Sequence, residues 1–111
     1  MVGTAINRYG IYLAVLDPTR GREIAKKRPV VVVSQDAMNR NLDTIVACPL
    51  TSTLHPRWRS RIQFVCAGRK AEIAVDQIRT LSKERLGKQV DTLAAPLAAR
   101  LRQIITEMYG E

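Results

Sequence analysis

Over most of the chain, apolar and polar residues form short blocks of period two. Only near the C-terminus does the spacing change to threes and fours, so the pattern predicts a strand-rich body followed by one helix. "YGIYLAVL" (9–16) is rich in β-formers and ends at "DPTRGRE", whose Asp-Pro and Gly are turn residues. "PVVVVS" (29–34) is apolar on both faces and predicts a buried strand. Pro29 has no amide hydrogen to give a ladder and is expected to open that strand. "SQDAMNRNLD" (34–43) is loop-like with room for one short turn, and "TIVACPL" (44–50) is a third strand stopping near Pro49.

In "RWRSRIQFVC" (57–66) the alternation puts Trp58, Ser60, Ile62, Phe64 and Cys66 on one face, with Arg57, Arg59 and Arg61 on the other. That predicts a basic stripe backed by a core face. After a turn at "AGRK" (67–70), "AEIAVDQI" (71–78) places Ile73 and Val75 inward and Glu72, Ala74 and Asp76 outward. "LSKERLG" (81–87) suits a single helical turn ended by Gly87. From 92 to 109, Leu93, Leu97, Leu101, Ile104, Ile105 and Met108 form one apolar stripe, with Pro96 tolerable only near the first turn. The expected fold class is mainly β with α: a small antiparallel β-barrel carrying a C-terminal helix.

A length of 111 residues suits one domain, read as 1–111. No apolar run approaches the ~20 residues of a membrane helix. The N-terminal apolar stretch meets Asp17 and Pro18 where a cleavage site would be needed, so it reads as a first strand and the protein as cytoplasmic. Cys48 and Cys66 lie far apart in apolar stretches and are expected as buried, reduced thiols rather than a disulfide or a nucleophile. The lone His55 cannot complete a metal-ligand set with them, so no metal site or cofactor is expected. With 18 Lys and Arg against 10 Asp and Glu, the formal net charge of +8 favours a polyanionic or acidic partner.

There is no Gly-rich phosphate loop, H-E-x-x-H or G-x-S-x-G. What remains is a set of polar groups at strand ends: Glu23, Arg28, Thr51, Ser52 and Asp76. If the second and third strands pair antiparallel, the start of one lies beside the end of the other, and Arg28 meets Thr51. Such a group suits a phosphodiester. RNA carries its own nucleophile, the 2′-OH, so a protein need only align it, spread the phosphorane charge and move two protons. Arg28 supplies a planar charged fork, and Thr51 and Ser52 supply neutral donors. An arginine, with a pKa above ~12, is a poor base, so Glu23 or Asp76 is the more natural proton acceptor. Against these stand plainer readings: Arg28 a solvated loop cation, "LTST" a polar turn, Asp76 a surface partner of Arg79, and Trp58 either a base-stacking residue or part of the core.

In combination, "DPTRGREIAKKRPVVVVSQDAMNRN", "IVACPLTST" and "AVDQIRTLSKERLG" follow the order and spacing of one family. The pattern is G-x-E, four residues, R-P and a β-branched run, then a P-x-T-[ST] strand end and a D-Q strand. From about Tyr9 to Gly87 the chain resembles the MazF/PemK/Kid toxins of type II toxin-antitoxin systems. The resemblance implies an SH3-like antiparallel barrel shared with the gyrase poison CcdB, a homodimer, and metal-independent, sequence-specific cleavage of single-stranded RNA to 2′,3′-cyclic phosphate and 5′-OH ends. Carried over by position, the catalytic residues are Arg28, Thr51 and Glu23, supported by Ser52 and Asp76. Some plasmid-borne members have a histidine and an arginine where this chain has Arg22 and Ala74, so a mechanism using either is not expected here.

The loop "TSTLHPRWRSR" should border the RNA groove, with Lys26, Lys27, Arg57, Trp58, Arg59 and Arg61 as RNA contacts. The implied partners are single-stranded RNA and an acidic, partly disordered antitoxin, with DNA reached only indirectly through the antitoxin and no membrane. Two alternatives stand beside this reading: a CcdB-like gyrase poison that acts by binding, and a catalytically dead nucleic-acid-binding or antitoxin-buffering module.

Overall fold

A computed structural model describes residues 5–16 and 27–110. Glu23 and Lys26, like Arg22 and the rest of the "DPTRGRE" turn, lie outside the described residues. The strands are β1 (Gly10–Val15), β2 (Lys27–Val32), β3 (Thr44–Thr51), β4 (Arg61–Cys66), β5 (Arg69–Ala74), β6 (Arg79–Ser82) and β7 (Leu86–Thr92). The helices are α1 (Asp36–Asn41) and α2 (Ala95–Tyr109), and single 3-10 turns cover Val75–Gln77 and Lys83–Arg85. The strands pair antiparallel in the order β4-β5-β3-β2-β1-β7, with β6 also on β3. This is an antiparallel half-barrel with a C-terminal helix, as the sequence pattern predicts.

The second strand shows why its valines are continuous. Val31 and Val33 face one core with Ile11, Cys48, Ile73 and Leu101, while Val30 and Val32 face another with Tyr12, Ile45 and Leu81. Each such valine contributes roughly 1.5–3 kcal/mol over an exposed position. The first core is closed by α2, through the buried Ala98, Leu101 and Ile104, while Met108 at the end of the predicted stripe is exposed. Pro96 falls in the first turn, where its missing amide hydrogen costs nothing.

β3 pairs with β6 along its first half and with β5 at Leu50 and Thr51. The 3-10 turn Val75–Gln77 bends the β5–β6 path between these pairings, so the predicted single strand 71–78 is broken after Ala74. β4 begins only at Arg61, because the chain turns between His55 and Arg61 through backbone bonds from Trp58 N to His55 O and from Arg61 N to Trp58 O. Residues 57–60 are therefore loop. Between β4 and β5, Ala67 and Gly68 take φ values of 48° and 83°, the left-handed pair of a type I′ hairpin turn.

Candidate active site

β2 lies between β1 and β3, and its two ladders end at different places. On the β1 side pairing runs down to Lys27, opposite Val15, so the strand starts before Pro29 rather than at it. On the β3 side the pairs run from Val32↔Ala47 to Val30↔Pro49 and then stop. Pro29 and Pro49 both lack an amide hydrogen at that point. Continued for two more residues, the same register would set Arg28 opposite Thr51. Instead the two strand ends part, and the gap between them is a cleft.

The cleft has a volume of about 630 Å³, and its walls carry Arg28, Thr51, Ser52, Thr53, Arg69 and Lys70. A smaller recess of about 150 Å³ adjoins it, with Arg28 and Thr51 lining both. Arg28 and Thr51 thus line the same openings without pairing directly. Arg28 is exposed, and no described carboxylate lies within ion-pairing range of it. Thr51 Oγ1 accepts the Thr53 amide hydrogen at 3.1 Å, which fixes the hydroxyl and leaves its own hydrogen to donate. Three cations and three hydroxyls around one opening make a site for an oxyanion such as a phosphate. Arg69 and Lys70 escaped the sequence reading because "AGRK" registers there only as a turn.

The remaining predicted residues are distributed differently. Asp76 stands apart from the cleft, bound to Arg61 Nε at 2.8 Å, so its partner is Arg61 and not Arg79. Arg61 does lie on the face opposite Ile62. It is nevertheless only 6% exposed, which overturns its place in an outer basic stripe and as an open RNA contact. Trp58 does not share the core face with Ile62 and Phe64 either: it sits in the loop at 51% exposure. Lys27, Arg57 and Arg59 are exposed.

Arg61 is drawn inward by Glu72, a residue expected to face outward but fully buried. Parity holds here too, since Glu72 lies opposite Ile73; the 52–60 loop folds back over that face. Arg61 NH1 donates to Glu72 Oε2 at 2.7 Å and Gln63 Nε2 to Oε1 at 2.7 Å. The His55 backbone amide also donates to Oε1, and His55 Nδ1 lies 2.9 Å from Oε2. Burial by itself would raise the Glu72 pKa, but the bonds from His55, Gln63 and Arg61 outweigh it and hold it at about 2. Asp76 is lowered chiefly by its bond to Arg61, and Arg61 is raised chiefly by the same bond. His55 stacks on Trp58 with ring centroids 4.0 Å apart, and the Arg61 guanidinium lies 4.7 Å from the Trp58 ring centre.

Sequence reasoning missed His55 and Glu72 as site residues. The available signal was a carboxylate in an otherwise apolar strand, "AEIA", with one histidine in the loop between the hydroxyl cluster and the arginines. Cys48 is buried and its thiol is pushed up to about 12, first by desolvation and then by Asp76; Cys66 is raised by burial as well. Both are free and protonated, as expected.

Residues 7–109 match a family described as the PemK-like, MazF-like toxin of type II toxin-antitoxin systems. The chain is similar to the endoribonuclease MazF of Staphylococcus epidermidis, at 30% identity over 94 residues, 80% of this chain and 78% of the relative. Its fold is similar to that in a MazE–MazF crystal structure (Form-II) from Deinococcus radiodurans, with a TM-score of 0.83 and 22% identity over 96% of this chain and 97% of that one. A mycobacterial endoribonuclease in complex with its cognate antitoxin is likewise similar, with a TM-score of 0.78 and 22% identity over 96% of each chain.

Proposed function

Because the chain belongs to the PemK-like, MazF-like toxins of type II toxin-antitoxin systems, we propose that its cleft cuts single-stranded RNA, at short sequences and without a metal. The observation that carries this reading is the position of Arg28 and Thr51 at the parted ends of β2 and β3, where both line the cleft and the recess. Here Arg28 forks onto the non-bridging phosphate oxygens and Thr51 donates to the developing phosphorane. The RNA 2′-oxygen attacks in line, leaving a 2′,3′-cyclic phosphate and a 5′-OH. Glu23, which precedes β2 in the sequence, is the third catalytic residue, and Ser52 supports from the cleft wall. Asp76 supports only indirectly, through Arg61.

Lys26, Lys27, Arg57, Trp58 and Arg59 hold the flanking RNA, so binding weakens steeply with salt. The +8 charge also fits an acidic antitoxin segment that covers the cleft in a homodimeric toxin, with any DNA contact made by the antitoxin. No described helix is long and apolar enough to cross a membrane. A translated RNA substrate fits a cytoplasmic protein. A CcdB-like gyrase poison is not favoured, since the matched family and the curated relative are both of the MazF type.

The reading is tested by incubating the protein with a long RNA in EDTA and mapping the ends. Discrete cuts with cyclic-phosphate termini are expected, and a 2′-deoxyribose placed 5′ to the scissile phosphate should abolish the cut at that site. Intact RNA, with the fold verified, would overturn the proposal.

A further inference from the structure

We propose that His55, oriented by Glu72, takes the proton from the attacking 2′-hydroxyl. The inference rests on the ribonuclease reading above and addresses what that reading leaves open. At neutral pH a guanidinium has donors only, so Arg28 can stabilise charge but cannot accept a proton. Thr51 uses its oxygen on the Thr53 amide. Asp76, a proton acceptor suggested by sequence, has both carboxylate oxygens on Arg61, at 2.8 and 3.4 Å. His55 lines the 150 Å³ recess together with Arg28 and Thr51.

The geometry also assigns its tautomer. Glu72 is fully buried and ionised, and a carboxylate accepts hydrogen bonds without donating them. Nδ1, 2.9 Å from Glu72 Oε2, therefore carries a hydrogen, and in the neutral ring the lone pair lies on Nε2. Among the described residues nothing hydrogen-bonds Nε2. The ring plane is set by the Trp58 stack on one side of this bond and by the carboxylate at its end. This is the arrangement by which a buried carboxylate orients an imidazole as a base.

The charged groups around the ring come from each neighbouring element: Glu72 from β5, Arg61 from β4 with NH1 3.2 Å from Nδ1, Asp76 behind Arg61, and Arg28 from β2 across the recess. Two carboxylates and two guanidiniums thus surround it. In the step itself Nε2 takes the 2′-OH proton as the 2′-oxygen bonds to phosphorus and the P–O5′ bond breaks. The 5′-oxygen takes a proton from water, and the hydroxide so formed takes the imidazolium proton. Products are the cyclic phosphate and the 5′-OH, with the enzyme restored.

The experiment is single-turnover cleavage of an RNA with one scissile site, followed against pH for the wild type, His55→Gln and Glu72→Gln. Affinity for the uncleavable 2′-deoxy analogue is measured in parallel. The wild-type rate should rise with pH through one ionisation. His55→Gln should lose that rise and about 10²–10⁴-fold in rate at unchanged affinity. Glu72 acts through His55 as a positioning residue, so Glu72→Gln should shift the rise to lower pH; if that variant does not fold, His55→Gln decides alone.

An RNA with a 5′-bridging sulfur, a leaving group that needs no acid, should not rescue His55→Gln. Rescue by sulfur would make His55 the acid and overturn the proposal, as would an unchanged rate or a loss confined to affinity. A wild type that leaves RNA intact overturns the ribonuclease reading instead. A wild type that cuts while His55→Gln cuts equally well overturns this inference alone.

Discussion

Arg28 and Arg61 both line the small recess, yet one is an exposed cation with no described carboxylate in range and the other is 6% exposed between Glu72 and Asp76. The difference separates two uses of the same side chain. A buried ion pair surrenders hydration and regains it only through well-aligned bonds, so its charge is committed to architecture. A cation left exposed at a cleft keeps its charge for an anion that arrives later. Arg61 thereby ties down the loop that carries His55 and Trp58, and Arg28 lines the cleft and the recess beside it.

The sharpest way to break this contrast is to remove each side chain's function in turn. Arg28→Ala should lower cleavage by about 10⁴-fold, equivalent to about 5 kcal/mol of barrier. Its unfolding free energy should change by less than about 0.5 kcal/mol in urea titration. Equal losses of fold and activity would erase the distinction.

Glu72→Ala, unlike Arg28→Ala, should cost stability as well as activity. It strands Arg61 with one carboxylate instead of two, and about 3 kcal/mol of stability should go, the low end for a broken buried pair because Asp76 remains. The same residue sets an acid limit. An unfolded glutamate has a pKa near ~4.3, and in the fold Glu72 is held at about 2. Its contribution is therefore complete above the unfolded value and lost as pH falls toward the folded one. Chemical denaturation at stepped pH should show the wild type weakening across that window more steeply than Glu72→Gln.

Trp58→Ala tests what the buried network presents rather than what it stabilises. Binding of the 2′-deoxy analogue should fall by about 1–3 kcal/mol, the range for one base stacked on an aromatic ring. The smallest effect lies at the hairpin by the larger cleft, where Ala67 holds φ at 48°. Ala67→Gly should raise stability by about 1 kcal/mol, read as a higher melting temperature, since glycine enters that region without a Cβ clash.

Local pattern and pairing logic went far in this chain. Double-sided valines predict a strand buried on both faces, the three-four spacing predicts α2, and antiparallel pairing puts Arg28 and Thr51 at the same end of neighbouring strands. What escaped depends on distant partners. β7, "LGKQVDT", has few β-formers and is a strand because β1 pairs with it, Ile11 against Asp91. Period two places Glu72 and Arg61 on the right face, but cannot foretell that a loop twelve or more residues earlier in sequence than Glu72 will cover that face. Of the two readings of Trp58 the core one fails, because alternation stops at Arg61 and the chain upstream of it is turning. The recess residues His55 and Glu72 were hidden for the same reason: they become neighbours only when the loop closes.

The parted ends of β2 and β3 have one more consequence. An opening within a sheet is also an edge, and edges with free backbone donors invite foreign strands. Here the opening begins at Pro29, whose nitrogen faces β3, so a donor that an intruding strand would seek does not exist. The protein can thus keep a gap in its own sheet while offering a poorer template for aggregation there.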